Sequence, residues 1–120
     1  MDKKELIKQY KQTVQPMGVY QIRNLVNGKI FLGTSKNLPG KGNSSLFQLN
    51  MGSHMNKALQ EDFNQSGASN FVFEVVDSLK PKEDLAYDYT EDLKVLEEMW
   101  LEKLQPYDEK GYNSKKRERK

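Results

Sequence analysis

Short apolar-rich runs on either side of Asn27-Gly28 predict two strands, roughly residues 17–25 and 29–34, joined by a hairpin turn. An Asn-Gly pair suits a type I′ turn because both central positions need positive φ. With those two residues as the turn, Val26 faces Lys29, Leu25 faces Ile30 and Asn24 faces Phe31. Side chains alternate along a strand, so Tyr20, Ile22 and Asn24 then share a face with Phe31 and Gly33, while Leu25, Ile30 and Leu32 look the other way. Tyr20 and Phe31 are expected to face the same space.

The rest of the chain mixes helical and extended patterns. Asp2-Lys3-Lys4-Glu5 has the spacing of a capping box and leads into a predicted short helix to about Thr13, stopped before Pro16. From Thr34 to Ser53 the chain is rich in Gly, Ser, Asn and Lys, which predicts loop with one helical turn near Leu46–Leu49. Met55, Leu59 and Phe63 recur every four residues and Ser66-Gly67 supplies a stop, which predicts a second helix. Phe71, Phe73 and Val75 alternate with Val72, Glu74 and Val76, as in a strand over 70–77 covered on both faces.

A long helix is predicted from Asp84 or Thr90 to Leu104. At about 100° per residue, Leu96, Trp100, Leu93, Leu104 and Leu101 form one apolar arc, and Glu97 falls inside it. Glu98, Glu102 and Lys94 fall at its edge or beyond, and Lys103, near the apolar side, is expected to snorkel. A carboxylate on the buried side of a helix is costly unless it is paired, protonated or bound to a metal. Glu97 is therefore a candidate site residue, with a rim position or a structural ion pair as the alternatives.

Composition narrows the classes. At 120 residues and 36% hydrophobic content the chain makes one domain. It has no apolar run of membrane-spanning length, and its first residues lack the apolar stretch of a signal peptide. With no cysteine, thiolate chemistry and disulfides are excluded, which fits a reducing cytoplasm. Residues 74–102 hold ten acidic and three basic residues, against a whole-chain net charge of +2. A basic remainder beside one acidic segment suits a polyanionic partner and a cation near the acids, or else a solvated acidic helix beside ordinary surface lysines.

Familiar chemical patterns are few. There is one histidine, His54, without zinc-site spacing or a nucleophile motif beside it, and it reads as a surface loop residue. Pro39-Gly40-Lys41-Gly42-Asn43-Ser44 evokes a phosphate loop but lacks its Gly-x-x-x-x-Gly-Lys-Ser/Thr pattern. It reads instead as a basic loop. The terminal Lys115-Lys116-Arg117-Glu118-Arg119-Lys120 is a basic tail, suited to phosphates or simply to solubility.

Gly18-Val19-Tyr20 followed after ten residues by Phe31-Leu32-Gly33 resembles the paired signature of the GIY-YIG nuclease domain. The resemblance continues through Thr34-Ser35-Lys36-Asn37-Leu38, Asn56-Lys57-Ala58-Leu59-Gln60, Gly67 to Val75, Leu96 to Leu104, and Gly111-Tyr112-Asn113, so it spans residues 17–113 in order. It implies an α+β fold, a three-stranded antiparallel sheet flanked by helices, with an extra N-terminal helix. The implied division is the N-terminal helix over 1–15, the GIY-YIG-like domain over 16–113 and a basic tail over 114–120 that is expected to be disordered.

The resemblance also implies hydrolysis of nucleic-acid phosphodiesters, DNA first, with Mg²⁺ or Mn²⁺. Tyr20 would stand at the attacking water, Glu97 would hold the metal, Lys41 would occupy the position of a motif arginine, and Asn113 would support the site. A carboxylate is the hard oxygen ligand that Mg²⁺ prefers, and a phenol near a metal-bound water can relay a proton. Two positions depart from the pattern: Phe31 lacks the hydroxyl of the second motif tyrosine, and lysine at 41 cannot make arginine's bidentate fork. Arg23, Lys29, Lys36 and Lys41, with Lys115, Lys116 and Arg117 of the tail, are the expected nucleic-acid contacts. Two other readings stay open: a catalytically impaired DNA- or RNA-binding domain on the same scaffold, and a protein-interaction domain.

Overall fold

A computed structural model describes residues 2–5, 15–84 and 86–114. Three strands, β1 (Met17–Asn24), β2 (Ile30–Ser35) and β3 (Phe71–Leu79), form one antiparallel sheet in the order β2-β1-β3. The helices are α1 (Leu38–Met51), α2 (Lys57–Ser66) and α3 (Thr90–Leu104), with a 3₁₀ turn at Ala68–Asn70. This is the α+β architecture expected from the sequence. At the N-terminus the Asp2 carboxylate accepts from the Glu5 amide at 2.9 Å, a cap at the start of residues 3–5, which are helical. The rest of that predicted helix, to Thr13, and the tail from Lys115 lie outside the described residues.

The hairpin turn is longer than the expected two residues. Asn24 pairs with Lys29, so Leu25-Val26-Asn27-Gly28 forms the loop, and the register runs Arg23 to Ile30 and Ile22 to Phe31. The asparagines decide this: Asn24 Oδ1 accepts from Val26 N and Asn27 Oδ1 from Lys29 N, each at 2.9 Å. Of these four residues only Gly28 has positive φ, 78°. A shift of two preserves alternation, so Tyr20, Ile22, Phe31 and Gly33 still share one face.

The Gly-rich stretch predicted as loop is helix α1. Asn37 caps it by accepting from Gly40 N at 3.0 Å, Pro39 sits in the first turn, and Gly52 ends it at φ 75°. Its buried stripe is Leu38, Gly42, Ser45 and Leu49, a helical spacing with two small residues in it. A Cβ at Gly42 would sit 3.2 Å from the Phe73 ring, so the small residue lets α1 come close to the sheet. In α2, Asn56 is the cap and accepts from Leu59 N, while Leu59 and Phe63 are buried and Met55 lies before the helix, exposed.

Strand β3 is an edge strand, and most of it is only half-buried rather than covered on both faces as expected. A bulge at Val76, between the pairs Tyr20–Val75 and Val19–Asp77, reverses its alternation. Phe71 and Phe73 therefore join Tyr20, Ile22, Leu38, Leu49, Leu59, Phe63 and Tyr112 in one core, whereas Leu79 joins Met17, Tyr89 and Leu93 under α3. Asp77, now on the α3 side, accepts from Trp100 Nε1 at 2.9 Å. Along α3, Leu93 is buried and Leu96, Glu97, Trp100, Leu101 and Leu104 are half-buried, with Glu98 and Glu102 exposed. The exposed Lys103 stands 4.8 Å over the Trp100 ring.

Strand β2 is the other edge, and the chain's C-terminal segment covers it. Ile30 N donates to Lys110 O, and Tyr112 N donates to Ile30 O. Asn113 completes the cover: Leu32 N donates to its Oδ1 and its Nδ2 donates to Leu32 O, both at 2.8 Å. These bonds occupy backbone groups that an open edge would present to another strand. Asn113→Ala is expected to lower unfolding free energy by about 1–2 kcal/mol in urea denaturation, the net worth of two hydrogen bonds. An unchanged midpoint would mean that the backbone bonds at Ile30 hold the edge unaided.

Candidate functional site

Tyr20 is set by the strand opposite it. It pairs with Gly33, and a Cβ there would sit 2.6 Å from the Tyr20 hydroxyl, so the phenol lies across β2 where a side chain would otherwise stand. Phe73 stacks on the Tyr20 ring at 5.0 Å between centroids, and Phe31 lies tilted at 6.4 Å. The Lys41 ammonium, on the first turn of α1, stands 6.0 Å from the same ring. Tyr20, Phe31 and Lys41 thus line one pocket of about 100 Å³ with Gln48, Ser53, His54 and Met55.

His54 corrects the sequence reading. It is buried, 7% exposed, and it meets Phe31 edge-on at 5.4 Å between ring centroids. Its backbone N–H donates to Gln60 Oε1, and its Nδ1 accepts from Asn56 N, both at 3.0 Å. With Nδ1 occupied as an acceptor, the neutral ring carries its proton on Nε2. Burial, reinforced by the nearby Lys41 charge, holds the imidazole pKa below its ordinary value, so it is neutral at neutral pH. A lone histidine between Ser53 and Met55 carries no periodic signal; only the α1–α2 connection brings it to Phe31.

Glu97 lines a neighbouring cleft of about 490 Å³ with Glu98, Leu101, Glu102, Gln105, Tyr107, Asn113 and Ser114. Burial, and then the Glu97 charge, raise the Tyr20 phenol to about 12, so Glu97 is near enough to act on it. Asn113 spends its side-chain amide on Leu32, which makes it a positioning residue that fixes β2 beneath Tyr20. Among the described residues no three His, Cys, Asp or Glu side chains gather as a metal cage. The donor set is a carboxylate on a half-buried helix face, which fits a hard cation that draws its other ligands from water and substrate oxygens rather than zinc or a calcium loop.

The basic candidates divide. Arg23 lies on the face opposite Tyr20 and is bound by Glu74, with Nε to Oε1 at 2.7 Å and Nη2 to Oε2 at 3.1 Å. Its charge is matched within the sheet. Lys29 stands 5.7 Å over the Tyr112 ring, and Lys36 reaches Thr90 Oγ1 at 3.3 Å and Asp88 at 3.9 Å. Lys41 is the one that enters the pocket with Tyr20. Lys115, Lys116 and Arg117 lie outside the described residues.

Tyr112 shares Tyr20's upward shift, to about 12, through burial and its 2.6 Å hydrogen bond to Asp62. Both phenols keep their protons in the folded state above the ordinary value near 10. Their contribution to stability is complete below about pH 10 and is lost as pH rises from there through about 12, because the unfolded chain releases those protons first. A tyrosinate absorbance titration should therefore show a late phase near pH 12, diminished in Tyr20→Phe. Retention of the full late phase in that variant would contradict the assignment.

Neither a protein-family model nor a curated protein sequence matches the chain. Two solved structures do. The catalytic domain of homing endonuclease I-TevI is 24% identical, with a TM-score of 0.69 over 83% of this chain and 99% of that one. The catalytic domain of intron endonuclease I-TevI in a glutamate-to-alanine mutant is 25% identical, with a TM-score of 0.65 over 82% of this chain and 93% of that one. The order of strands and helices around Tyr20, Phe31 and Glu97 is that of a GIY-YIG-like fold.

Proposed function

We propose that this chain cleaves phosphodiester bonds in nucleic acid, DNA first, with Mg²⁺ or Mn²⁺ held at Glu97. The reading is carried by one juxtaposition: the Tyr20 phenol lines a pocket of hydrogen-bond donors and lies within the field of Glu97 from the next cleft. The fold shared with an endonuclease catalytic domain supports it. A divalent ion at Glu97 would neutralise phosphoryl oxygen charge and make a bound water more acidic.

The chain's own groups have distinct tasks in this scheme. Lys41 balances a phosphate charge in the pocket, and His54 offers its Nε2 proton to a phosphoryl oxygen. Tyr20, a phenol that is protonated at neutral pH, orients the attacking water. Phe31 gives His54 an apolar edge and no hydrogen bond. The second reading, a nucleic-acid-binding domain with little cleavage, is favoured by that missing hydroxyl and by lysine in place of the arginine fork.

Supercoiled plasmid and single-stranded substrates incubated with Mg²⁺ or Mn²⁺ separate the two. Cleavage should stop with EDTA and fall by roughly 10²-fold or more in Glu97→Gln, comparable to loss of a transition-state contact. Lys41→Ala should weaken binding to all sequences alike and reduce the slope of log affinity against log salt by about one. Steeply salt-dependent binding without cutting by the wild type would favour the binding domain; absence of binding would favour a protein-interaction scaffold.

A further inference from the structure

Residues 15–60 contain no aspartate or glutamate and carry Arg23, Lys29, Lys36, Lys41 and Lys57. Within this acid-free stretch the fold leaves Leu25, Val26, Leu46, Phe47, Met51 and Met55 exposed, and the three most exposed of those on α1 and the connection after it are Phe47, Met51 and Met55. Phe47 and Met51, 65% and 67% exposed, are one turn apart on α1, beside Gln48 of the pocket wall. Met55 is 83% exposed and lines the pocket itself. Neither α1 nor α2 uses them in its buried stripe.

We infer that Phe47, Met51 and Met55 form a ridge that stacks against nucleobases beside the pocket, selecting substrates whose bases are unstacked near the cut, such as single strands and bulges. The inference rests on the proposal that the pocket receives a nucleic-acid phosphate, and it adds the class of substrate. Met55 lines the pocket itself, which puts the ridge beside that phosphate. An apolar ridge next to a pocket that holds Lys41, with no carboxylate among its described lining residues, has the elements that single-strand binders use, aromatic platforms beside a basic track. Exposed Phe and Met side chains also serve as wedges at base steps that open easily. A paired, stacked duplex hides its base faces and gains nothing from the ridge. Three side chains are also a small fraction of the roughly 800 Å² per partner that a stable protein interface buries.

Fluorescence anisotropy in EDTA, with a labelled single strand, a duplex carrying a central bulge and a matched duplex of equal length, tests this without cleavage. Wild type should bind the single strand and the bulge roughly 10-fold more tightly than the matched duplex, within the range that stacking on aromatic side chains gives. Phe47→Ala/Met51→Ala should lose that preference while keeping its matched-duplex affinity and its far-UV circular dichroism, and Phe47→Trp should keep the preference. Equal binding of all three nucleic acids by wild type, or a preference that survives in the double variant, would overturn the ridge and leave the phosphate pocket standing. A dimer in sedimentation that Phe47→Ala dissociates would make the ridge an interface between copies and also overturn it. Preference without cutting in Mg²⁺ would support the ridge and count against the cleavage reading, whereas no binding in any form overturns both.

Discussion

Tyr20 lies across the neighbouring strand because position 33 has no side chain. That one steric allowance organises the site. It carries the hydroxyl from central strand β1 over edge strand β2, into the field of Glu97 on a helix that packs mainly against the opposite face. It also leaves Phe73 free to stack beneath the ring, which in turn needs Gly42 on α1 to be small. The cost of a Cβ at Gly33 or Gly42 would be strain in a packed layer, where interiors yield little. Lys41 reaches Tyr20 because α1 is held at that distance.

Alternation and helical spacing made much of this legible. The shared face of Tyr20 and Phe31 survives a two-residue error in the turn because a strand's period is two, so even slips preserve faces. Glu97 could be placed on the packed side of α3 because five apolar neighbours define an arc around it. What failed has a common physical source. Helix α1 is stabilised by its Asn37 cap, Pro39 and close packing at Gly42 and Ser45, none of which registers as hydrophobic periodicity. The Val76 bulge is equally silent, because either phase of β3 supplies plausible apolar residues.

His54 shows the same limit at the site itself. Its tautomer is set by the Asn56 N–H that its Nδ1 accepts, its backbone is held by Gln60 in the first turn of α2, and its ring contact comes from Phe31 on the hairpin. Three separate elements converge there, and no local pattern records the convergence. Asn113 moves in the other direction, from a candidate near the chemistry to a clamp on the Leu32 backbone. A side-chain amide bound to both the N–H and the C=O of one residue fixes the strand that carries Phe31 and Gly33, so its influence on the site runs through position.

The division of charge follows from these placements. Lys41, neutral His54 and protonated Tyr20 line the small pocket, and no carboxylate is among its described lining residues. In the proposed scheme a phosphate entering there would meet donors and one full positive charge. Glu97, Glu98 and Glu102 line the cleft next door. Were those carboxylates inside the pocket, unscreened repulsion at close range would oppose the phosphate by several kcal/mol at an effective dielectric near 20. Separated from it, Glu97 still acts on Tyr20, where in the metal-free protein its charge adds to burial in raising the phenol's pKa. The acid-free stretch of residues 15–60 supplies every residue that lines the pocket, so no carboxylate neighbours Lys41 and His54 along the chain, and in the proposed scheme a polyanion would meet Lys41 and the phenol without a carboxylate from that stretch.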